Sequence, residues 1–239
     1  MAVCRVEVVA STVEDVRAAA AGGADRVEFC SHLDSGGLTP GRSLIEAALA
    51  VAREEGLGFR LLIRPREGDF VYSEAERGVI VREAEAGLSL GADKVVTGGL
   101  DGRGDLDLAL LEGLNRAIGL GHVVFHRAFD EVAHPHAVAE QLQEAGIGGL
   151  LTSGGQVKAI DGISGIAHCV GRGLSVVAGA GVVPEHAERL VDTGVEAVHA
   201  SCRIPVPSVT GRLFDFGRTK VDAEKVKALV EAVRAVARP

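Results

Sequence analysis

The stretch Val123-Val124-Phe125-His126-Arg127-Ala128-Phe129-Asp130 decides how the chain is read. An apolar, β-branched run breaks off in a histidine, an arginine and then an aspartate. A strand that only closed a core would end in turn residues. Ionisable residues at the carboxyl end of a buried strand instead mark an α/β binding or active site.

Outward from this segment the same kind of run recurs. Short β-branched runs predict strands over 5–9, 26–30, 59–64, 94–97, 122–126, 149–152, 175–178 and 197–200. Amphipathic stretches between them predict helices over 13–21, 43–55, 74–90, 106–118, 135–145, 157–170 and 184–192. A last helix over 222–236 carries Val226, Leu229, Val230 and Val233 on one face, with Asp222 as its N-cap. Gly23-Ala24-Asp25, Gly91-Ala92-Asp93 and Gly194-Val195-Glu196 repeat the join expected between a helix and the next strand. Eight strands alternating with eight helices over 239 residues predict an α/β fold, a (β/α)8 TIM barrel in a single domain spanning 1–239. An open doubly wound sheet is the rival; it usually has fewer strands and opens on a GxGxxG absent here. Residues 201–221 show no periodicity and are expected to form a long loop after the eighth strand.

Composition narrows the function classes. Hydrophobic residues make up 47% of the chain and aromatics 3%, so the core must come from Ala, Val, Leu and Ile. The net charge of −8, with scattered basic residues, excludes a nucleic-acid footprint. Cys4, Cys30, Cys169 and Cys202 lie far apart without a CxxC pair, which argues against a disulfide framework or zinc ribbon and fits a reducing compartment. No signal-peptide core and no membrane-length apolar run is present, so a soluble cytoplasmic protein is expected.

Alternation along the strands sends Glu7, Glu28, Arg64, His126 and His199 inward, towards one mouth of the barrel. Buried charges of this kind must pair, so the group is either a salt-bridge lattice or an acid–base site with Asp130 as a further member. Arg64-Pro65-Arg66 opens the loop after the third strand, where Arg66 is a candidate carboxylate or phosphate ligand. Thr152-Ser153-Gly154 after the sixth strand and Gly179-Ala180-Gly181 after the seventh are candidate anion loops. Gly36-Gly37-Leu38-Thr39-Pro40 reads as turn and capping chemistry, and Pro135 explains His134-Pro135-His136 as a helix start.

Several of these motifs occur together and in order: Asp25–Cys30, Gly36–Pro40, Ile63–Arg66 with Gly68-Asp69-Phe70 and Tyr72-Ser73, Phe125–Asp130, Leu151–Gly154 and Ala178–Gly181. With them, over almost the whole chain, the sequence resembles the CutC family of copper homeostasis proteins. The resemblance implies a TIM barrel, a cytosolic homo-oligomer and handling of Cu(I) through thiols near the first two strands. Cys30 matches the second thiol, whereas Val8, Val9 and Ala10 stand where the first would follow Glu7. Cys202 and Cys30 are expected about two strand spacings apart, on the order of 10 Å. Two readings therefore leave the sequence: a copper homeostasis protein binding Cu(I) at Cys30, or a TIM-barrel enzyme using Glu, His and Arg on a small anionic or phosphorylated metabolite.

Overall fold

Along the first strand Val6, Val8 and Ala10 face one way and Glu7 and Val9 the other. This alternation, repeated around the sheet, divides the interior into two layers. The computed structural model describes residues 4–207 and 217–236. Eight parallel strands run β1 (Arg5–Ala10), β2 (Arg26–Phe29), β3 (Gly58–Leu62), β4 (Lys94–Thr97), β5 (Val123–Phe125), β6 (Gly149–Thr152), β7 (Val176–Gly179) and β8 (Ala197–Ala200). They pair in sequence order, and β8 pairs back onto β1 to close the barrel. The helices are α1 (Val13–Ala21), α2 (Arg42–Glu54), α3 (Glu74–Leu90), α4 (Leu108–Ile118), α5 (Pro135–Glu144), α6 (Ile163–Gly171), α7 (Ala187–Val191) and α8 (Ala223–Val236).

Outward-facing strand residues such as Val8, Phe29, Leu61, Phe125 and Leu150 belong to the core shared with the helices. Val9, Cys30, Leu62, Val96, Val124, Leu151, Val177 and Ala197 form a separate plug inside the barrel. Local chemistry sets the helix ends. Ser73 and Glu76 form a reciprocal capping box at the start of α3, and Gly91, with φ 108°, ends it in a conformation that only glycine adopts easily. Asp222 caps α8, accepting from the Lys225 N–H at 3.0 Å, and Val226, Leu229, Val230 and Val233 are buried as the spacing predicts.

Three sequence expectations change. The helix expected from 157 begins only at Ile163, because the Ala159 N–H is turned onto the carbonyl of Ala180 instead. The helix expected over 184–192 is a 3-10 turn, Pro184–His186, followed by the short α7. The loop expected over 201–221 contains an antiparallel pair, β9 (Arg203–Val206) and β10 (Arg218–Val221), while residues 208–216 lie outside the described residues. Arg203 pairs with buried Asp15 at 3.0 Å and the Val221 N–H donates to the same carboxylate, tying this ribbon to α1. No helix among the described residues is long and apolar enough to cross a membrane.

Candidate active site

Strand register determines which charges meet inside the barrel. Glu7 lies level with Arg26 on β2 and with His199 on β8, and Glu28 lies level with Arg60 on β3. In the amino-terminal half, Glu7 Oε2 accepts from Arg26 Nε and lies 3.1 Å from Arg60 Nη1. Arg26 also grips Glu196 with both terminal nitrogens, at 2.6 and 2.8 Å, and Arg60 approaches the same carboxylate at 3.6 Å. Two arginines thus face two glutamates. Burial would raise the Glu7 carboxyl, but Arg26, the His199 hydrogen bond and Arg60 outweigh it and hold Glu7 well below the usual carboxylate range.

Above this lattice, at the carboxyl ends of the strands, opens a cavity of about 360 Å³. Glu28, Cys30, Arg64, Phe70, His126 and His199 line it, with Val9, Leu62 and Leu151 as apolar walls. His199 Nδ1 lies 2.7 Å from Glu7 Oε1, which leaves Nε2 for the cavity. Burial opposes a charge on His199, but the Glu28 carboxylate and the bond to Glu7 prevail and raise its pKa. Glu28 Oε2 is enclosed without a hydrogen-bond partner. Burial pushes its carboxyl up to about 7, His199 opposing and the charge of Glu7 adding to the rise. Glu7 and Glu28 are therefore pushed in opposite directions, the arrangement that separates a permanent carboxylate from a group able to exchange a proton at neutral pH.

His126 occupies the far wall. Its Nδ1 accepts from the Ala128 N–H at 3.2 Å, so the neutral ring carries its proton on Nε2, which is buried without a partner. Burial, then the charge of Arg64, pushes its pKa down to about 3. Phe70 packs on the ring at 4.8 Å between centroids, and the Arg64 guanidinium lies 5.1 Å from the Phe70 centroid. Gly98 makes room here, since a Cβ on it would come within 2.9 Å of His126 Nδ1. Non-glycine residues with positive φ, His32 (50°), Ala180 (87°) and Cys202 (47°), all follow strands on this face, where backbone strain tends to collect around sites.

The structure brings Glu28, Arg64, His126, His199 and Cys30 together, with Glu7 directly behind them. It does not bring the other sequence candidates to the cavity. Asp130 is enclosed by the loop after β6, accepting from the Ser153 and Gly155 N–H groups at 3.1 Å, from the Thr152 and Ser153 hydroxyls, and from Arg127 Nε at 2.8 Å. The expected anion loop is therefore filled by the chain's own carboxylate, and the Gly154 N–H goes to Thr152 Oγ1. Arg66 spends its donors on Glu76, Asp69 and the carbonyls of Glu67, Asp69 and Val71, which folds its own loop. Gly179 backs onto His199, where a Cβ would lie 3.4 Å from the ring, and Gly181 packs beside Lys158, so neither lines the cavity. Sequence reasoning did not single out Arg26, Arg60, Glu196 or Gly98. For the two arginines the signal was present, because counting back by twos from Glu28 and by fours from Arg64 reaches them.

Metal donors follow the same geometry. Ligand atoms of Glu7, Glu28 and His199 lie within 4.8 Å of one another, an oxygen and nitrogen set. Cu(I) prefers thiolate and thioether sulfur. Cys30 is the one cysteine lining the cavity among the described residues, and burial, then the charge of Glu28, pushes its thiol far above the usual range. Cys202 packs against the outer core instead. One chain therefore brings a single thiol to the cavity, fewer than a Cu(I) thiolate centre takes.

A closed parallel barrel with an acid, an imidazole and an arginine converging on a cavity at the carboxyl ends of its strands defines a TIM-barrel protein. The chain belongs to the CutC family, whose model matches residues 4–204. It is 40% identical to the family protein CutC of Xanthomonas campestris pv. campestris, over 96% of this chain and 98% of that protein. Identity to the CutC protein of Photobacterium profundum is 34%, over 96% and 99% of the two chains. The crystal structure of CutC from Streptococcus agalactiae, proposed there as a copper homeostasis protein, superposes with a TM-score of 0.77 at 28% identity, covering 83% of this chain and 98% of that one.

Proposed function

We propose that the protein is an enzyme performing acid–base chemistry on a small metabolite seated between Glu28, His199 and Arg64. The observation that carries this reading is Glu28, a carboxyl lining the cavity with an enclosed oxygen that no protein group satisfies. A buried polar atom left without a partner is costly, and its retention calls for a role. In the step envisaged, Glu28 takes a proton from the substrate. The electron pair left behind shifts to a neighbouring atom, which receives the Nε2 proton of the His199 imidazolium. His199 keeps its Nδ1 proton on Glu7 throughout, so Glu7 positions the imidazole and Arg26 and Arg60 keep Glu7 ionised. The test is incubation with a metabolite extract in D2O, followed by mass spectrometry. Wild type is expected to label a metabolite, and Glu28→Gln to do so about 10²–10⁴-fold more slowly. No labelling by wild type, or equal labelling by Glu28→Gln, would overturn the reading.

A second reading comes with the family: cytosolic Cu(I) handling at Cys30 by a homo-oligomer. It is supported by the copper homeostasis role proposed for the Streptococcus agalactiae relative, by Cys30 at the cavity and by four free thiols of the kind a reducing compartment keeps. A Cu(I) competition titration comparing wild type with Cys30→Ser decides it. Equal affinities would remove Cys30 as the ligand.

A further inference from the structure

Among the described residues, every buried arginine except one has a carboxylate. Arg26 and Arg60 face Glu7 and Glu196. Arg64 is equally buried, yet its Nη1 donates to the backbone carbonyls of Ser35 (2.9 Å) and Gly37 (3.2 Å), its Nη2 to Gly68 (2.7 Å), and its Nε to nothing. No described carboxylate comes within 4.0 Å of it. The neighbouring Tyr72 hydroxyl is pushed up in pKa by burial and so supplies no negative charge. Carbonyl dipoles fix the guanidinium in place but leave a full positive charge without a counter-ion in a low-dielectric wall. That wall faces a cavity.

From this we infer that the missing counter-ion of Arg64 is the carboxylate of the substrate, a small monocarboxylic acid whose reacting atoms are thereby aimed at Glu28 and His199. The inference rests on the acid–base reading of the same cavity and names its substrate class. A monoanion matches the one guanidinium of the lining that has no carboxylate of its own, since Arg127 is paired with Asp130. A phosphate dianion is disfavoured on three counts. The backbone donors after β6 already hold Asp130. The remaining walls are mostly apolar, Val9, Leu33, Leu62 and Leu151, and the other arginine that reaches the cavity, Arg127, is already paired with Asp130 at 2.8 Å. A second negative charge would also sit beside Glu28. At about 360 Å³ the cavity has room for roughly a dozen water-sized atoms, taking ~30 Å³ for each.

The test is calorimetric titration of the full chain at low ionic strength with propionate and lactate, their neutral amides, and inorganic phosphate and phosphoglycolate. The carboxylates are expected to bind at least about tenfold more tightly than the matching amides and more tightly than either phosphate compound. Arg64→Gln is expected to abolish the preference over the amide. Because Arg64 also ties loops together, the wild-type comparison stands by itself, and Arg64→Lys, checked for folding by circular dichroism, is expected to retain part of the preference. Amides binding as well as carboxylates, phosphates binding better, no carboxylate binding at tens of millimolar, or an unchanged preference in folded Arg64→Gln would each overturn the inference. The two proposals fail separately. Arg64-dependent carboxylate binding without Glu28-dependent deuterium exchange would remove the acid–base reading alone. Exchange into a neutral metabolite, with no carboxylate preference, would remove the counter-ion alone.

Discussion

The two halves of the barrel interior are built from the same residue types to opposite ends. In the amino-terminal half, Arg26 and Arg60 are matched against Glu7 and Glu196, and the charges close on one another. In the carboxyl-terminal half, Glu28 and Arg64 are just as buried, but neither has an ion-pair partner among the described residues, and a cavity lies between them. A satisfied lattice gives the barrel a fixed geometry; an unsatisfied set leaves interactions for a ligand to complete. His199 joins the two, bonded to the lattice through Nδ1 and facing the cavity with the rest of its ring.

The contrast can be broken by substitution. Glu7→Gln should have the largest effect on stability, a loss of about 3–5 kcal/mol, because it strands two buried guanidinium groups with only Glu196 to share. Denaturant unfolding would measure it, and a loss below about 1 kcal/mol would show that the lattice is not a closed unit. Glu28→Gln should act in the other direction. Glu28 titrates near 7 in the folded protein against 4.5 for an ordinary glutamate. The folded state therefore holds this proton more tightly than the unfolded chain. Its contribution to stability is full below pH 4.5 and is lost as pH rises through about 7. Glutamine escapes that loss, so the variant should match wild type at acid pH and exceed it by on the order of 3 kcal/mol at pH 8. Asp130→Asn is the smallest expected change, a loss of about 1–3 kcal/mol without loss of carboxylate binding, since Asp130 is bound by its own loop and does not line the cavity. A large loss of ligand affinity in that variant would place the loop after β6 back in the site.

Much of this was legible in the sequence, for physical reasons that also explain the gaps. Period-two alternation and the regular spacing of β-branched runs made the eight strands readable and sent Glu7, Glu28, Arg64, His126 and His199 inward. Thr152 misled because its neighbour Leu151 takes the inward position, which turns the hydroxyl away from the cavity. Asp130, Ser153 and Gly154 carried the composition of an anion loop, and only the fold shows that the anion is internal. The β9–β10 ribbon left no pattern because its strands are four residues long, bury only Val221 between them and are interrupted by Pro205. The absence of a partner for Arg64 was invisible, since an empty place opposite a charge is a property of the tertiary structure.

The central claim is that the upper interior keeps Glu28 poised between its charged and neutral forms. It is tested most directly by a carbon-13 NMR titration of the Glu28 side-chain carboxyl, assigned by comparison with Glu28→Gln. The account predicts a midpoint near 7. A midpoint at the ordinary value of 4.5 would contradict it and return Glu28 to a solvated or paired carboxylate with no special role.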